Sequence, residues 1–171
     1  GTPGPIGPAG ATGPTGPSGR QFDVLINGTS IADPSQDLAY LGFTGQGPGF
    51  LTSQNYRFDL VATALKSAFV LYSGPGCTGT ARLFSEAGQT GVAFAGEIVQ
   101  ANGAVVYVPL ANTAAPFAWA SFFNFGTGNC DAASPGPTDT NDGIAFQPNS
   151  SAVTGYAIAN PNNLVTTFQR Q

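Results

Sequence analysis

The stretch GTPGPIGPAGATGPTGPSG, residues 1–19, carries glycine at every third position: Gly1, Gly4, Gly7, Gly10, Gly13, Gly16 and Gly19. Proline follows glycine at Pro5, Pro8, Pro14 and Pro17, and Pro3 closes its own triplet. Proline favours the extended polyproline-II conformation. Three such strands wind together when glycine, the one residue that fits the crowded axis, recurs at every third position. A flexible Gly/Pro/Thr linker is the other reading of this composition, but a linker gives no reason to keep phase through seven glycines. A Gly-X-Y strand cannot satisfy its backbone alone, so the pattern predicts a homotrimer before any site is considered. Seven triplets span only about 60 Å at roughly 3 Å per residue, so the rest of the chain is expected to trimerise and to hold the segment together. The sequence starts in phase on Gly1, which predicts either a processed mature chain or a piece of a longer triplet array.

The phase stops after Arg20, which divides the chain into a triplet segment, residues 1–20, and a second region, residues 21–171. There, short apolar or alternating runs rich in Val, Ile, Phe, Tyr and Thr suit a half-buried pleated surface. Strands are predicted over Phe22–Ile26, Leu38–Phe43, Tyr56–Ala64, Ala68–Ser73, Ala81–Ser85, Val92–Val99, Ala104–Leu110, Phe117–Phe125, Gly143–Gln147, Ala152–Ala159 and Leu164–Gln169. In Tyr56-Arg57-Phe58-Asp59-Leu60 the apolar residues alternate with a cation and an anion, the period of a strand. Turn signals punctuate the runs at Asn27-Gly28, Gly45–Gly49, Gly74-Pro75-Gly76, Ala87-Gly88, Asn102-Gly103, Asp142-Gly143 and Asn160-Pro161-Asn162. Asn102-Gly103 is the strongest hairpin signal. The Pro/Ser/Thr-rich stretch Asp131–Asn141 reads as an exposed loop. The expected fold class is all-β: a triple-helix segment followed by an antiparallel β-sandwich of jelly-roll type.

Composition narrows the function. Charged residues are 8% of the 171, against the usual ~25%. Five cations cannot build a phosphate-neutralising surface, so nucleic acid is not an expected partner. Nor is there a polybasic cluster for an anionic membrane or an apolar run for insertion. So few charges protect poorly against self-association. That suits a surface buried in an oligomer or filament, and equally a secreted domain kept soluble by Ser, Thr, Asn and Gln. The two cysteines, Cys77 and Cys130, both lie in turn-like sequence. They read as one disulfide formed in an oxidising, extracellular setting, or as two free thiols.

The chain holds no histidine, which removes Ser/His/Asp and Cys/His catalysis. A Ser–Lys arrangement would need Lys66, the only lysine, whose neighbour Ser67 points to the opposite face of a strand. Nothing in the spacing makes Glu86 and Glu97 converge. No enzyme activity and no cofactor are expected. Asp139, Asn141 and Asp142 loosely resemble a calcium loop, but the spacing is one residue short and no glutamate follows, so no metal site is assigned. Phe117–Phe125 places five aromatic rings in nine residues. On one strand Phe117, Trp119, Ser121, Phe123 and Phe125 would share a face, with Phe122 opposite. That face reads as core, as a subunit interface, or as a platform for stacking sugars. Two glycosylation sequons begin at Asn27 and Asn149. Thr12 and Thr15 occupy outward third positions of their triplets, where a hydroxyl or an attached sugar could replace hydroxyproline.

A short Gly-Pro-Thr-rich segment ahead of a C-terminal β region resembles the collagen-like surface proteins of bacteria and of some viruses. The resemblance rests on Gly1–Gly19 and on the order of the two regions. It extends to YSGPGCTGT (residues 72–80), VVYVP (residues 105–109) and Gly128-Asn129-Cys130, which are similar to cysteine-bearing domains that follow such stalks. It implies a secreted, cell-surface homotrimer, either a stalk or filament subunit that polymerises head to tail or an adhesin whose β-head binds a glycan or a host protein.

Overall fold

The computed structural model describes residues 1–4, 22–33, 37–85, 94–125, 127–132 and 140–170. Gly7, Gly10, Gly13, Gly16, Gly19, Thr12, Thr15, Glu86, Asp139 and the Ala87-Gly88 turn lie outside these residues. The described strands are β1 (Phe22–Ile26), β2 (Thr29–Ser30), β3 (Leu38–Phe43), β4 (Pro48–Thr52), β5 (Arg57–Val61), β6 (Ala64–Leu65), β7 (Val70–Gly74), β8 (Thr78–Phe84), β9 (Ile98–Ala101), β10 (Ala104–Tyr107), β11 (Ala115–Ala118), β12 (Ser121–Asn124), β13 (Asn129–Ala132), β14 (Thr140–Ile144), β15 (Gln147–Pro148) and β16 (Thr166–Arg170). One helical turn, α1 (Ser151–Thr154), interrupts them. The protein is all-β, its strands paired antiparallel in sheets ordered β16-β1-β2, β15-β10-β9, β11-β14-β8-β7-β12-β13 and β3-β4-β5-β6.

The β9–β10 hairpin organises the interior. Asn102 and Gly103 take φ of 47° and 79°, the left-handed pair that a two-residue turn needs to match strand twist, and Ala101 pairs with Ala104 across it. Asn27-Gly28 closes β1–β2 in the same way. Both faces of β9–β10 are buried. Ile98 and Tyr107 join one apolar cluster with Val24, Phe50, Phe58, Leu60 and Leu164. Val99, Ala101, Val106 and Val108 join the other, with Val70, Leu83 and Ile144 of the six-stranded sheet. This gives a sandwich-like arrangement with an apolar core on each side of the hairpin. Parallel bridges at Arg57–Glu97 and Ser67–Gln100 tie β9 to β5 and to the segment after β6. In the first core Phe50 and Phe58 stack 5.1 Å apart, a contact worth about 0.5–1.5 kcal/mol beyond the area it buries.

Several expectations are corrected. Tyr56–Ala64 is not one strand but β5 and β6 around a turn at Ala62-Thr63, and of the described part of Val92–Val99 only Ile98 and Val99 lie in a strand, after a turn at Ala95-Gly96. Ala152–Ala159 is not a strand. The fully buried Thr154 hydroxyl has three acceptors for its one proton, Asn149 Oδ1 (2.8 Å), the Ser150 carbonyl (2.9 Å) and the Tyr156 carbonyl (3.0 Å), inside a helical turn that Gly155 ends in the left-handed region. Asp142-Gly143 is not a turn but part of β14, with Gly143 opposite Phe84 on one side and Ala115 on the other. A Cβ on Gly143 would sit 2.8 Å from the Phe117 Cβ and 2.9 Å from the Arg82 Cβ, so glycine marks close packing there. Phe117–Phe125 is not one strand but two, β11 and β12, separated in their sheet by β14, β8 and β7. Strands β4 and β13 had no clear signal in the sequence: β4 begins on Pro48-Gly49, and β13 runs into the Asp131–Asn141 stretch read as a loop.

Candidate functional surface

The aromatic stretch crosses from one part of its sheet to another, and backbone demand explains why. The Ala120 amide donates to the Tyr72 carbonyl at 2.8 Å. The fully buried Ser121 hydroxyl donates to the Gly74 carbonyl at 2.6 Å and accepts from the Cys77 amide at 2.9 Å. These bonds pull the chain onto β7 and break the run at Trp119. The rings then pair locally instead of forming one flat face. Trp119 meets Phe122 edge to face at 5.9 Å, and Phe123 meets Phe125 at 5.2 Å. Phe125 also meets Phe69, and Arg82 sits 6.0 Å above the Phe117 ring. The five rings are half-buried. The Trp119 Nε1 is buried with no hydrogen-bond partner.

Cys77 and Cys130 form a disulfide. Cys77 sits in the β7–β8 turn and Cys130 on β13, so the bond ties that turn to the edge of the six-stranded sheet.

Among the described residues two pairs of charges face one another. Lys66 Nζ donates to both Glu97 carboxylate oxygens, at 3.1 and 3.4 Å, with each side chain about one-tenth exposed. Glu97 also accepts from the Phe94 amide. Arg57 grips Asp59 through Nε and a terminal guanidinium nitrogen, the shortest contact 2.9 Å. Held this way, Lys66 is not poised to activate Ser67. Of the calcium candidates, Asn141 and Asp142 lie on the strand β14, opposite Phe117 and Pro116. Among the described residues no three His, Cys, Asp or Glu side chains gather to hold a metal, and no helix is long and apolar enough to cross a membrane. At the sequons, Asn27 Oδ1 accepts from the Val165 amide, and Asn149 Nδ2 donates to the Tyr156 carbonyl.

One surface was not singled out by sequence reasoning. β16 and β3 are edge strands of two different sheets, and aromatic rings bridge them. Phe168 of β16 stacks on Phe43 of β3 at 5.8 Å and meets Tyr40 edge to face at 5.6 Å. Phe43 is 71% exposed, Leu41 48% and Phe168 46%. Beside them opens a cleft of about 540 Å³ lined by Pro48, Ala62, Thr63 and Val165 as well as the two phenylalanines, with no charged residue among its lining. The Thr166 hydroxyl at this cleft is buried without a partner. A cleft of this size suits a small ligand or the side chains of another chain, and its lining suits a neutral one. The available signal was in Leu38–Phe43 itself, an uncharged run whose exposed residues Ala39, Leu41 and Phe43 are all apolar, the last brought onto the Tyr40 face by a bulge at Leu41.

Comparison with protein-family models, with curated proteins and with solved structures finds no match to this chain.

Proposed function

We propose that this protein is a homotrimeric, collagen-like structural subunit of an extracellular stalk or filament, in which the short triple helix connects and the β-head trimerises. The carrying observation is the unbroken glycine phase from Gly1 to Gly19. Among the described residues a Cβ on Gly1 or Gly4 would meet nothing within 4 Å, and Gly4 has no left-handed backbone. A three-chain axis supplies the need. The disulfide favours an oxidising compartment outside the cytosol, and the charge-poor composition favours a surface covered by its own kind. The role is structural rather than catalytic, since the chain has no histidine and its single lysine is tied to Glu97. Negative-stain imaging of native material tests the filament: long regular fibres are expected, and isolated lollipop-shaped trimers would rule it out.

The second reading is a collagen-stalked adhesin whose trimeric head binds a glycan or a host matrix protein. The uncharged, aromatic-rimmed cleft at Phe43 and Phe168 favours it, as does the partly exposed ring of Trp119. Glycan binding that disappears in Trp119→Ala, with the trimer intact, would select it.

A further inference from the structure

We propose that the apolar rim formed by Phe43 of β3 and Phe168 of β16 is the contact through which three copies of this chain pack around the triplet axis. The inference rests on the homotrimer reading above and names its interface.

The location of the rim carries the argument. The triplet segment leads into β1, and β1 pairs with β16 in a register that sets Phe22 opposite Arg170 and Val24 opposite Phe168. Phe168 therefore lies two residues, about 7 Å, along β16 from the point where the segment joins the sheet. In a trimer Gly19 sits on the axis, and three residues reach at most about 11 Å, so Phe22 of every copy lies within that distance of the axis. A β-head of about 150 residues has a radius of gyration near 15 Å. Three such bodies tethered this close must touch at the end of the β1–β16 pair.

The chemistry of that end agrees. An uncharged edge strand with apolar outward residues is normally blunted by charge or covered, because it otherwise promotes association. β3 carries no charge, and its Phe43, brought onto the Tyr40 face by the bulge at Leu41, is exposed. Phe168 continues the same patch on β16 through its stack on Phe43. Aromatic anchors in a patch of this kind carry most of the energy of an interface.

The test is the equilibrium molar mass of the full chain as a function of concentration, for wild type, Phe43→Ser/Phe168→Ser, Phe43→Ser alone and the control Leu110→Ser, another exposed apolar position. Circular dichroism verifies folding, and Phe43→Ser alone keeps the Phe168 ring on Tyr40 should the double variant fail to fold. Wild type and Leu110→Ser are expected at three times the 17.3 kDa chain mass. The rim variants are expected to fold and to dissociate at concentrations at least about 30-fold higher than wild type. Folded rim variants that stay trimeric with unchanged dissociation would overturn the interface and leave the trimer standing. The same holds if they stay trimeric and lose only end-to-end fibres. A wild type at single-chain mass throughout would overturn both.

Discussion

Cys77, in the turn between β7 and β8, is bonded to Cys130 on the edge strand β13, their Cα atoms 5.6 Å apart and 53 residues apart in sequence. A link across that much chain restricts the unfolded ensemble far more than the folded one. By the chain-entropy account it contributes about 3–4 kcal/mol. Cys77→Ser/Cys130→Ser is expected to lose that amount in denaturant unfolding, and reduction of the wild type to give the same midpoint.

Ser121 supports the same turn from below. Its hydroxyl serves the Gly74 carbonyl and the Cys77 amide together. Ser121→Ala leaves the partly buried Gly74 carbonyl and Cys77 amide without that partner, and is expected to cost about 1–2 kcal/mol. Unfolding of Ser121→Ala beside Ser121→Cys, with the disulfide intact, measures it.

Lys66 and Glu97 are a pair whose partners are not interchangeable with solvent, each side chain being about one-tenth exposed. Lys66→Ala strands a buried carboxylate, and the expected loss is about 3–5 kcal/mol. Lys66→Met/Glu97→Leu removes both charges and is expected to recover much of it. A double variant as unstable as Lys66→Ala would show that packing, not charge, holds the site.

Burial pushes the Tyr156 phenol above its ordinary 10.0. The ring stacks on Phe58 at 5.6 Å and is nearly parallel to it. Below pH 10 the phenol is neutral in both folded and unfolded chains, and stability is unaffected by it. Above pH 10 the unfolded chain releases its proton first, so stability falls as pH rises toward the folded value. Tyr156→Phe is expected to flatten this alkaline decline, measured as unfolding midpoint from pH 8 to 11.5.

Alternation and turn chemistry made much of the fold legible. Phe22–Ile26 and Leu38–Phe43 are strands with the predicted bounds, and Asn102-Gly103 turns the hairpin at the centre. Two of the departures share a cause: side-chain hydrogen bonds to the backbone that periodicity does not see. Thr154 closes a helical turn inside an apolar run, and Ser121 diverts an aromatic strand onto β7. The Phe43–Phe168 contact joins residues 125 positions apart. No local pattern reports such a meeting, although the uncharged Leu38–Phe43 run held half of it.

The central claim is that Gly1–Gly19 forms a triple helix, and its thermal melting tests this most directly. The polyproline-II circular dichroism signal of the full chain is expected to fall cooperatively with temperature before the β-structure unfolds. In Gly10→Ser the transition is expected to drop or vanish while the β-signal stays, because any side chain at the axis disrupts the three-chain packing. A gradual, non-cooperative decline that is identical in wild type and Gly10→Ser would contradict the account.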